Sequence, residues 1–153
     1  MTIIEDDQVH SKASDGNWRP SRIVEEAKQR GLQAIALTDH DTTFGVPEAQ
    51  ETGRKIGVNV HSGIEVNSFY HDQHITLDSF DILGLKIDLE LIQPFEKKLA
   101  TNRYQALNGI VDKFNQYVSL GRFAKDNDEK RYPLQDPKII SIDDLIAWKC
   151  KWN

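Results

Sequence analysis

The sequence predicts an α/β fold up to about residue 88 and a helical segment after it. Short apolar runs alternate with amphipathic helices at the spacing of a strand–helix–strand unit, which is typical of a parallel sheet. After about residue 88 this alternation stops, and one apolar stripe at helical spacing follows. With 153 residues, the chain is long enough for one domain with a substantial core.

The first elements are predicted from apolar runs and from turn residues. A weak strand is expected over residues 2–9, where isoleucine and valine occur. The stretch "RPSRIVEEAKQRGL", 19–32, predicts a helix, since Pro20 suits the first turn and Gly31 suits the exit. The apolar run "QAIAL", 33–37, predicts a buried strand.

The next elements complete the alternating half of the chain. The stretch "VPEAQETGRKIG", 46–57, predicts a second helix that ends at its last glycine. "VNVHSGIEV", 58–66, predicts the next strand, so the sheet is expected to be parallel. The polar residues 67–76 are expected to form a loop, and "FDILGLKI", 80–87, is a further buried strand candidate.

The last third of the chain has a different pattern. A helix is expected from about residue 94 to 118, with one apolar stripe along it. Residues 121–138 are charged and contain prolines, which is typical of a connection. A helix is expected to restart at Ser141, because Ser141 and Asp144 have the spacing of a capping box.

Composition and charge exclude several classes of function. The net charge is −5 with both signs mixed along the chain, so no footprint for duplex nucleic acid is expected. Cys150 is the single cysteine, which excludes an internal disulfide and fits a reducing cytoplasm. The acidic N-terminal stretch is not a signal peptide, and no apolar run approaches the roughly 20 residues of a membrane span. We expect a cytoplasmic protein without a membrane partner.

Three clusters of chemically active side chains follow predicted strands. The first is in "DDQVHSKASDG", 6–16, the second is "TDHD", 38–41, and the third is a glutamate at the end of the third strand. Because parallel strands end at one edge of a sheet, these groups should converge. The converging set is His10, Asp15, Asp39, His40, Asp41 and Glu65. Singly, each residue fits a surface turn, a helix cap or an ion pair; jointly they favour a site for Zn²⁺, Mn²⁺ or Fe²⁺.

Four motifs in order carry a resemblance to a known family. "VHSKASDG", "GLQAIALTDHDTTFGV", "SGIEVN" and "DILGLKID" resemble the PHP superfamily, the polymerase and histidinol phosphatase domains. The resemblance covers roughly residues 4–90, and residues 90–150 resemble the insertion of members that act on nucleotides. It implies a distorted (β/α)7 barrel, up to three metal ions at the strand ends, and metal-dependent hydrolysis of phosphoesters. In one subgroup the substrates are nucleoside 3′,5′-bisphosphates or short oligonucleotides.

The resemblance implies roles for individual residues. His10, Asp15, His40 and Glu65 match family metal ligands, and His40 and Asp15 would take part in catalysis. Asp6 matches the aspartate that opens the first motif.

Two positions depart from the family pattern. Gln8 stands where the pattern has the first histidine of a His-x-His pair, and a neutral amide is a poor ligand for these ions. Asp81 stands where another histidine is expected, and its carboxylate can still bind a metal. His71 and His74 are alternatives for that ligand, and the sequence does not decide between the three.

The later family motifs have no counterpart in this chain. We therefore expect residues 1–90 to be the N-terminal half of a PHP domain and 91–153 a helical, insertion-like segment, giving a truncated, partial barrel. Unpaired strand edges predict self-association. The expected function is a PHP-type phosphoesterase that uses Mn, Zn or Fe ions, acts on nucleotides or other small phosphate esters, and is weakly active alone. The alternative is a non-catalytic PHP-like binding or assembly module.

Overall fold

The computed structural model describes residues 4–71, 73–119 and 141. The elements in chain order are β1 (Glu5–Val9), α1 (Pro20–Gln29), β2 (Ala34–Leu37), α2 (Val46–Ile56), β3 (Asn59–His71), β4 (Thr76–Leu85) and α3 (Leu89–Ser119). The predicted alternation of strands and helices is confirmed through β3. The predicted connection 121–138, and the predicted helix beyond Ser141, lie outside the described residues.

The described strands form one sheet in the order β1-β2-β3-β4. β1 pairs with β2 and β2 pairs with β3 in parallel, as the sequence predicts. β4 pairs antiparallel with β3, so the expectation of a parallel sheet is wrong for this strand. The four strands form a mixed α/β half-barrel, and the count of seven strands stays a prediction.

The loop predicted over residues 67–76 is the second correction. β3 continues to His71, and the ladder with β4 runs from Gly63 paired with Leu85 to His71 paired with Thr76. Exposed side chains, such as Phe69 at 82% exposure, occupy this end of the hairpin. Because the strand gains its order from backbone pairing and not from burial, its sequence lacks the apolar pattern of a core strand.

The core lies between the two short helices and one face of the sheet. α1 begins at Pro20 and buries one stripe, and α2 buries a second stripe before it ends at Gly57, whose φ of 74° is the left-handed conformation that glycine adopts readily. The buried apolar cluster is Ile23, Val24, Ala27, Ile35, Leu37, Val46, Ala49, Val58 and Val60. Burial of each large side chain in this cluster stabilises the fold by about 1.5–3 kcal/mol. This packing holds the strands that carry the candidate site residues.

Side chains alternate across the sheet, so the helix-covered face and the opposite face carry different chemistry. Ile35, Leu37 and Val60 lie on the helix-covered face. Ala36 pairs with His61 on the opposite face. Glu65 lies four residues after His61 along β3, so its side chain is on the same face as that of His61. The opposite face therefore carries His61 and Glu65 of β3.

The chain divides into two units, Met1–Leu99 and Ala100–Asn153. The first contains the sheet, α1, α2 and the start of α3, and the described part of the second is the rest of α3 and Ser141. The division at residue 90 stays a prediction, and so does self-association. Among the described residues, none of the helices combines the length and the apolar character needed to cross a bilayer.

Two glycines in helices predict opposite responses to the same substitution. A Cβ at Gly53 would lie 2.5 Å from the backbone oxygen of Val58, whereas a Cβ at Gly109 would meet nothing within 4 Å. Gly53→Ala should therefore destabilise the fold by about 1–3 kcal/mol through overpacking. Gly109→Ala should stabilise α3 by about 0.5–1 kcal/mol, because alanine costs less backbone entropy. Thermal unfolding followed by circular dichroism measures both, and a stabilising Gly53→Ala would contradict the tight helix–strand contact.

Candidate metal centre

Three strands bring His10, His40 and Glu65 together. His10 directly follows β1, and His40 lies just beyond β2 and forms an isolated parallel bridge with Glu65. Two backbone hydrogen bonds support that bridge: the amide of Asp41 donates to the carbonyl of Glu65 at 2.9 Å, and the amide of Glu65 donates to the carbonyl of Asp39 at 3.2 Å. One ligand atom from each of the three side chains lies within 4.8 Å of the others. The sequence indicated that Glu65 directly follows a strand. In the structure Glu65 lies inside β3 instead.

The imidazole of His10 lies between two carboxylates. Its Nδ1 is 2.9 Å from Oδ1 of Asp15, and its Nε2 is 2.5 Å from Oε2 of Glu65. Burial lowers the pKa of His10, but the hydrogen bonds and charges of Asp15 and Glu65 outweigh this effect, and the pKa is raised above 6.5. The hydrogen bond to His10 lowers the pKa of Asp15. This arrangement favours an imidazolium held by two carboxylates.

The turn between His10 and Asp15 is closed by its own backbone. The amide of Gly16 donates to the carbonyl of Ser11 at 2.8 Å, and a Cβ at Gly16 would lie 2.2 Å from the carbonyl oxygen of His10. A side chain at this position would push the turn open, so glycine is required for the close approach. The closed turn places the carboxylate of Asp15 against the ring of His10, although that carboxylate is 65% exposed.

Asp39 is buried and holds the turn after β1 to the end of β2. Its Oδ1 accepts hydrogen bonds from the backbone amide of Ser11 and from Oγ of Ser14, and its Oδ2 accepts one from Oγ of Ser11, each at 2.7 Å. Asp39 is 1% exposed. The sequence had placed Asp39 among the converging carboxylates, whereas its carboxylate is turned to these two serines. Its role is to fix the relative position of the loops that carry His10 and His40.

His40 has one ring nitrogen that lacks a partner. Its Nδ1 is buried and, among the described residues, makes no hydrogen bond. Its Nε2 lies 3.8 Å from Oδ2 of Asp15, and its ring meets the ring of His10 edge to face at 4.6 Å. A buried polar atom without a partner is uncommon in folded proteins, and it points to a group that is bound there in the working protein.

The chemistry of this donor set fits a divalent cation. Two imidazoles and one carboxylate are the ligand types that Zn²⁺, Mn²⁺ and Fe²⁺ accept. Asp15 bonds the ring nitrogen of His10 that lies away from Glu65, which is how carboxylates orient a histidine ligand. The atoms of His10 and Glu65 that share a proton can equally share a cation. We call His10, His40 and Glu65 the metal triad.

The other candidates from the sequence lie outside the metal triad. Asp81 is exposed on β4, where it pairs with Asn67. His71 ends β3 opposite Thr76, and His74 lies in the turn of the hairpin. Among the described residues, the donor atoms that lie within 4.8 Å of one another are those of the metal triad, so Asp81, His71 and His74 do not belong to the group.

The residues of the first motif reach the triad in different ways. Nε2 of Gln8 donates a 2.9 Å hydrogen bond to Oε1 of Glu65. Asp6 instead accepts a hydrogen bond from the backbone amide of Gln8 at 3.2 Å. Gln8 therefore contacts a triad member directly, whereas Asp6 supports the backbone beside it.

A cavity of about 410 Å³ lies beside His10 on the helix-covered face. Its lining includes Val9 and Trp18, side chains of α1, and the charged pair Glu26 and Arg30. Of the triad, His10 lines this cavity, and neither His40 nor Glu65 is among its lining residues. The cavity is therefore a neighbour of the centre and not the position of the ion.

The loop after His40 is held by a residue from α3. Oε1 of Glu96 accepts hydrogen bonds from the backbone amide of Thr43 and, at 2.9 Å, from its Oγ1. This contact closes the turn that leads into α2. Sequence reasoning missed it, because nothing in the pattern of a helix indicates which distant amide one of its carboxylates will bind.

Sequence reasoning also missed Ser11 and Ser14 as partners of Asp39. The available signal was small: two serines lie between His10 and Asp15, and an aspartate directly follows a buried strand. Serines in a turn usually bond to nearby backbone, so this pattern alone does not predict a contact with a residue 25 or 28 positions later.

Removal of the Asp39 carboxylate should destabilise the chain strongly. Asp39→Ala would leave the buried amide of Ser11 without an acceptor and remove two further hydrogen bonds, at a cost of about 2–4 kcal/mol. Ser14→Ala removes only one of the three bonds and should cost about 1 kcal/mol. Urea unfolding of both variants checks the order, and equal losses would contradict the central role of Asp39.

The raised pKa of His10 predicts a pH dependence of the metal-free chain. The stabilisation from His10 is fully present below its unfolded pKa of about 6.5 and is lost as pH rises through its higher folded pKa. The lowered pKa of Asp15 acts in the opposite way, so its contribution is lost only as pH falls into the acidic range. Urea unfolding with a chelator should show stability falling above about pH 6.5, more steeply than in a His10→Gln variant. The same slope in both proteins would contradict the shift.

Comparison with known proteins gives the family. The model of the PHP domain matches residues 6–143. A solved structure from Bifidobacterium adolescentis, described as a metal-dependent phosphoesterase, aligns with a TM-score of 0.60 at 27% identity over 95% of this chain and 50% of its own.

Two curated relatives act on small phosphate compounds, as their names state. A phosphoribosyl 1,2-cyclic phosphate 1,2-diphosphodiesterase from Eggerthella lenta is 46% identical over 56% of this chain and 32% of its own. A 3′,5′-nucleoside bisphosphate phosphatase from Chromobacterium violaceum is 32% identical over 70% of this chain and 34% of its own. The chain thus spans about one third of the length of these relatives. From the ordered motifs, the fold and the matched residues 6–143, the chain belongs to the PHP domain family.

Proposed function

We propose that this chain carries the centre of a metal-dependent phosphoesterase that acts on nucleotides or other small phosphate esters. The single observation that supports this most is the metal triad, in which donor atoms positioned by three different strands lie within 4.8 Å of one another. Surface residues rarely bring two imidazoles and a buried carboxylate to one point without a ligand to hold. The family and the names of its members support the phosphoester as the substrate class.

In this proposal His10, His40 and Glu65 hold a divalent ion, either Mn²⁺, Zn²⁺ or Fe²⁺. When bound, such an ion supplies a Lewis acid that withdraws electron density from a phosphoryl oxygen. Asp15 orients His10 through its Nδ1 and lies 3.8 Å from the ring of His40. Asp15 is therefore a positioning residue for both imidazoles, and its exposed carboxylate is the group available to a proton of an incoming water or leaving group.

Activity of this chain alone should be low. A metal site with one open position for substrate needs about three protein ligands for each ion. The metal triad provides three donors, which is enough for one ion and not for three. We include neither Asp81 nor the hairpin histidines in the proposed ligand set, because the hairpin holds them outside the metal triad.

Variants of the triad should lose metal and activity together. His40→Ala and Glu65→Ala each remove one of three ligands, and Mn²⁺ affinity should fall by more than about 100-fold. Asp15→Asn leaves the ligands in place and weakens only the orientation of His10, so the loss should be about 10–100-fold. Calorimetric titration with Mn²⁺ measures affinity, and phosphate release from a nucleoside 3′,5′-bisphosphate measures turnover.

His61→Ala is the matched control, because His61 lies on β3 with Glu65 but bonds to Asn59 and lies outside the triad. It should keep the affinity and the turnover of the unchanged chain. Unchanged turnover in both His40→Ala and Glu65→Ala would contradict the proposed centre. Tight binding of a phosphate ester without any turnover would favour the alternative, a non-catalytic binding module.

A further inference from the structure

The two oxygens of the Glu65 carboxylate have different partners. Oε2 lies 2.5 Å from Nε2 of His10, and Oε1 accepts a 2.9 Å hydrogen bond from Nε2 of Gln8. The side chain of Glu65 is only 8% exposed, so water has little access to either oxygen. Each oxygen therefore depends on its protein partner.

The orientation of the Gln8 amide is fixed by charge. A carboxylate accepts hydrogen bonds but donates none, so it must face the NH₂ group of the amide and not its carbonyl oxygen. The backbone of Gln8 is also held, because its amide donates to Asp6 at 3.2 Å and the ladder with β2 shifts register between Asp6 and Val9. Gln8 lies within this irregular stretch of β1, and its side chain reaches Glu65.

An NH₂ group cannot bind a cation, and it occupies the oxygen that a second cation would need. We propose that Gln8 restricts Glu65 to binding through Oε2, so that the metal triad holds a single ion and Glu65 does not bridge a pair. This inference rests on the proposed metal centre and adds its stoichiometry. To bridge two ions, Glu65 would have to release the side-chain amide of Gln8. The second ion would then lie beside this neutral amide, which offers it no negative charge.

The chemical consequence concerns the substrate. Paired ions can neutralise the attacking and the leaving oxygen of a phosphoryl transfer at once, whereas one ion serves only one of them. With Gln8 in place, the described residues favour phosphate esters whose leaving group needs little stabilisation.

The number of bound ions tests the inference without any assay of turnover. The full chain is loaded with Mn²⁺, freed of excess metal and measured by elemental analysis and by electron paramagnetic resonance. We expect one Mn²⁺ for each chain, with the six-line spectrum of an isolated ion. Gln8→His removes the NH₂ donor and adds an imidazole ligand, so it should bind a second Mn²⁺ and give the spectrum of a coupled pair. Gln33→His is the matched control, since Gln33 is exposed just before β2, and it should stay at one ion.

The outcomes separate this inference from the function on which it rests. Two coupled ions in the unchanged chain would overturn the role of Gln8 and leave the metal centre standing. A folded Gln8→His variant that still binds one ion would also overturn it. If the unchanged chain and Gln8→His both bind no Mn²⁺ in calorimetric titration, the metal centre itself is wrong, and this inference falls with it.

Discussion

The centre depends on one buried carboxylate, that of Asp39. It accepts three hydrogen bonds from Ser11 and Ser14 and so joins the turn after β1 to the end of β2. The triad histidines lie on either side of this junction, His10 directly before Ser11 and His40 directly after Asp39. A buried charge is costly unless hydrogen bonds satisfy it, and here the satisfied charge fixes two loops in one arrangement. The imidazoles are positioned by a residue that touches neither the substrate nor the proposed ion.

Around this junction the electrostatics are local. Asp15 and Glu65 both face His10, and together they raise its pKa against the effect of burial. A positive charge is therefore favoured at this point, whether a proton or a metal ion provides it. In the metal-bound chain Asp15 would still orient the neutral imidazole through Nδ1, whereas Glu65 would join His10 as a ligand. The proton and the ion therefore compete for the place between His10 and Glu65.

The sequence predicts most of the first half of the fold, because its order comes from burial. The apolar stripes of α1 and α2 and the runs at Ile35 and Val60 follow directly from the packing of helices on a sheet. The hairpin end of β3 was not predictable in this way, since Phe69 and its neighbours are exposed and the strand is recognised by its backbone pairing with β4. The antiparallel direction of β4 follows from that short hairpin. The prediction of a loop over residues 67–76 therefore also missed the direction of β4.

For the candidate site, the rule that parallel strands end at one edge was enough to bring His10, His40 and Glu65 together. The rule was not enough to predict which groups the carboxylates of Asp39 and Asp15 contact. Asp39 and Asp15 have similar positions after a strand, yet one is buried against serines and the other is exposed against an imidazole. The difference depends on the turn closed by Gly16, which is a matter of backbone geometry and not of residue type.

The contact between Glu96 and Thr43 has a consequence for the order of assembly. Thr43 and its carboxylate partner are 53 residues apart, and α3 is made after every strand of the described sheet. A chain emerging from the ribosome can pair β1, β2 and β3 while the turn between His40 and α2 still lacks its acceptor. Synthesis runs at about 5–20 residues per second, so Glu96 is made several seconds after Thr43. The turn into α2 is thus closed by a residue that is made after every member of the metal triad and after the Asp39 junction.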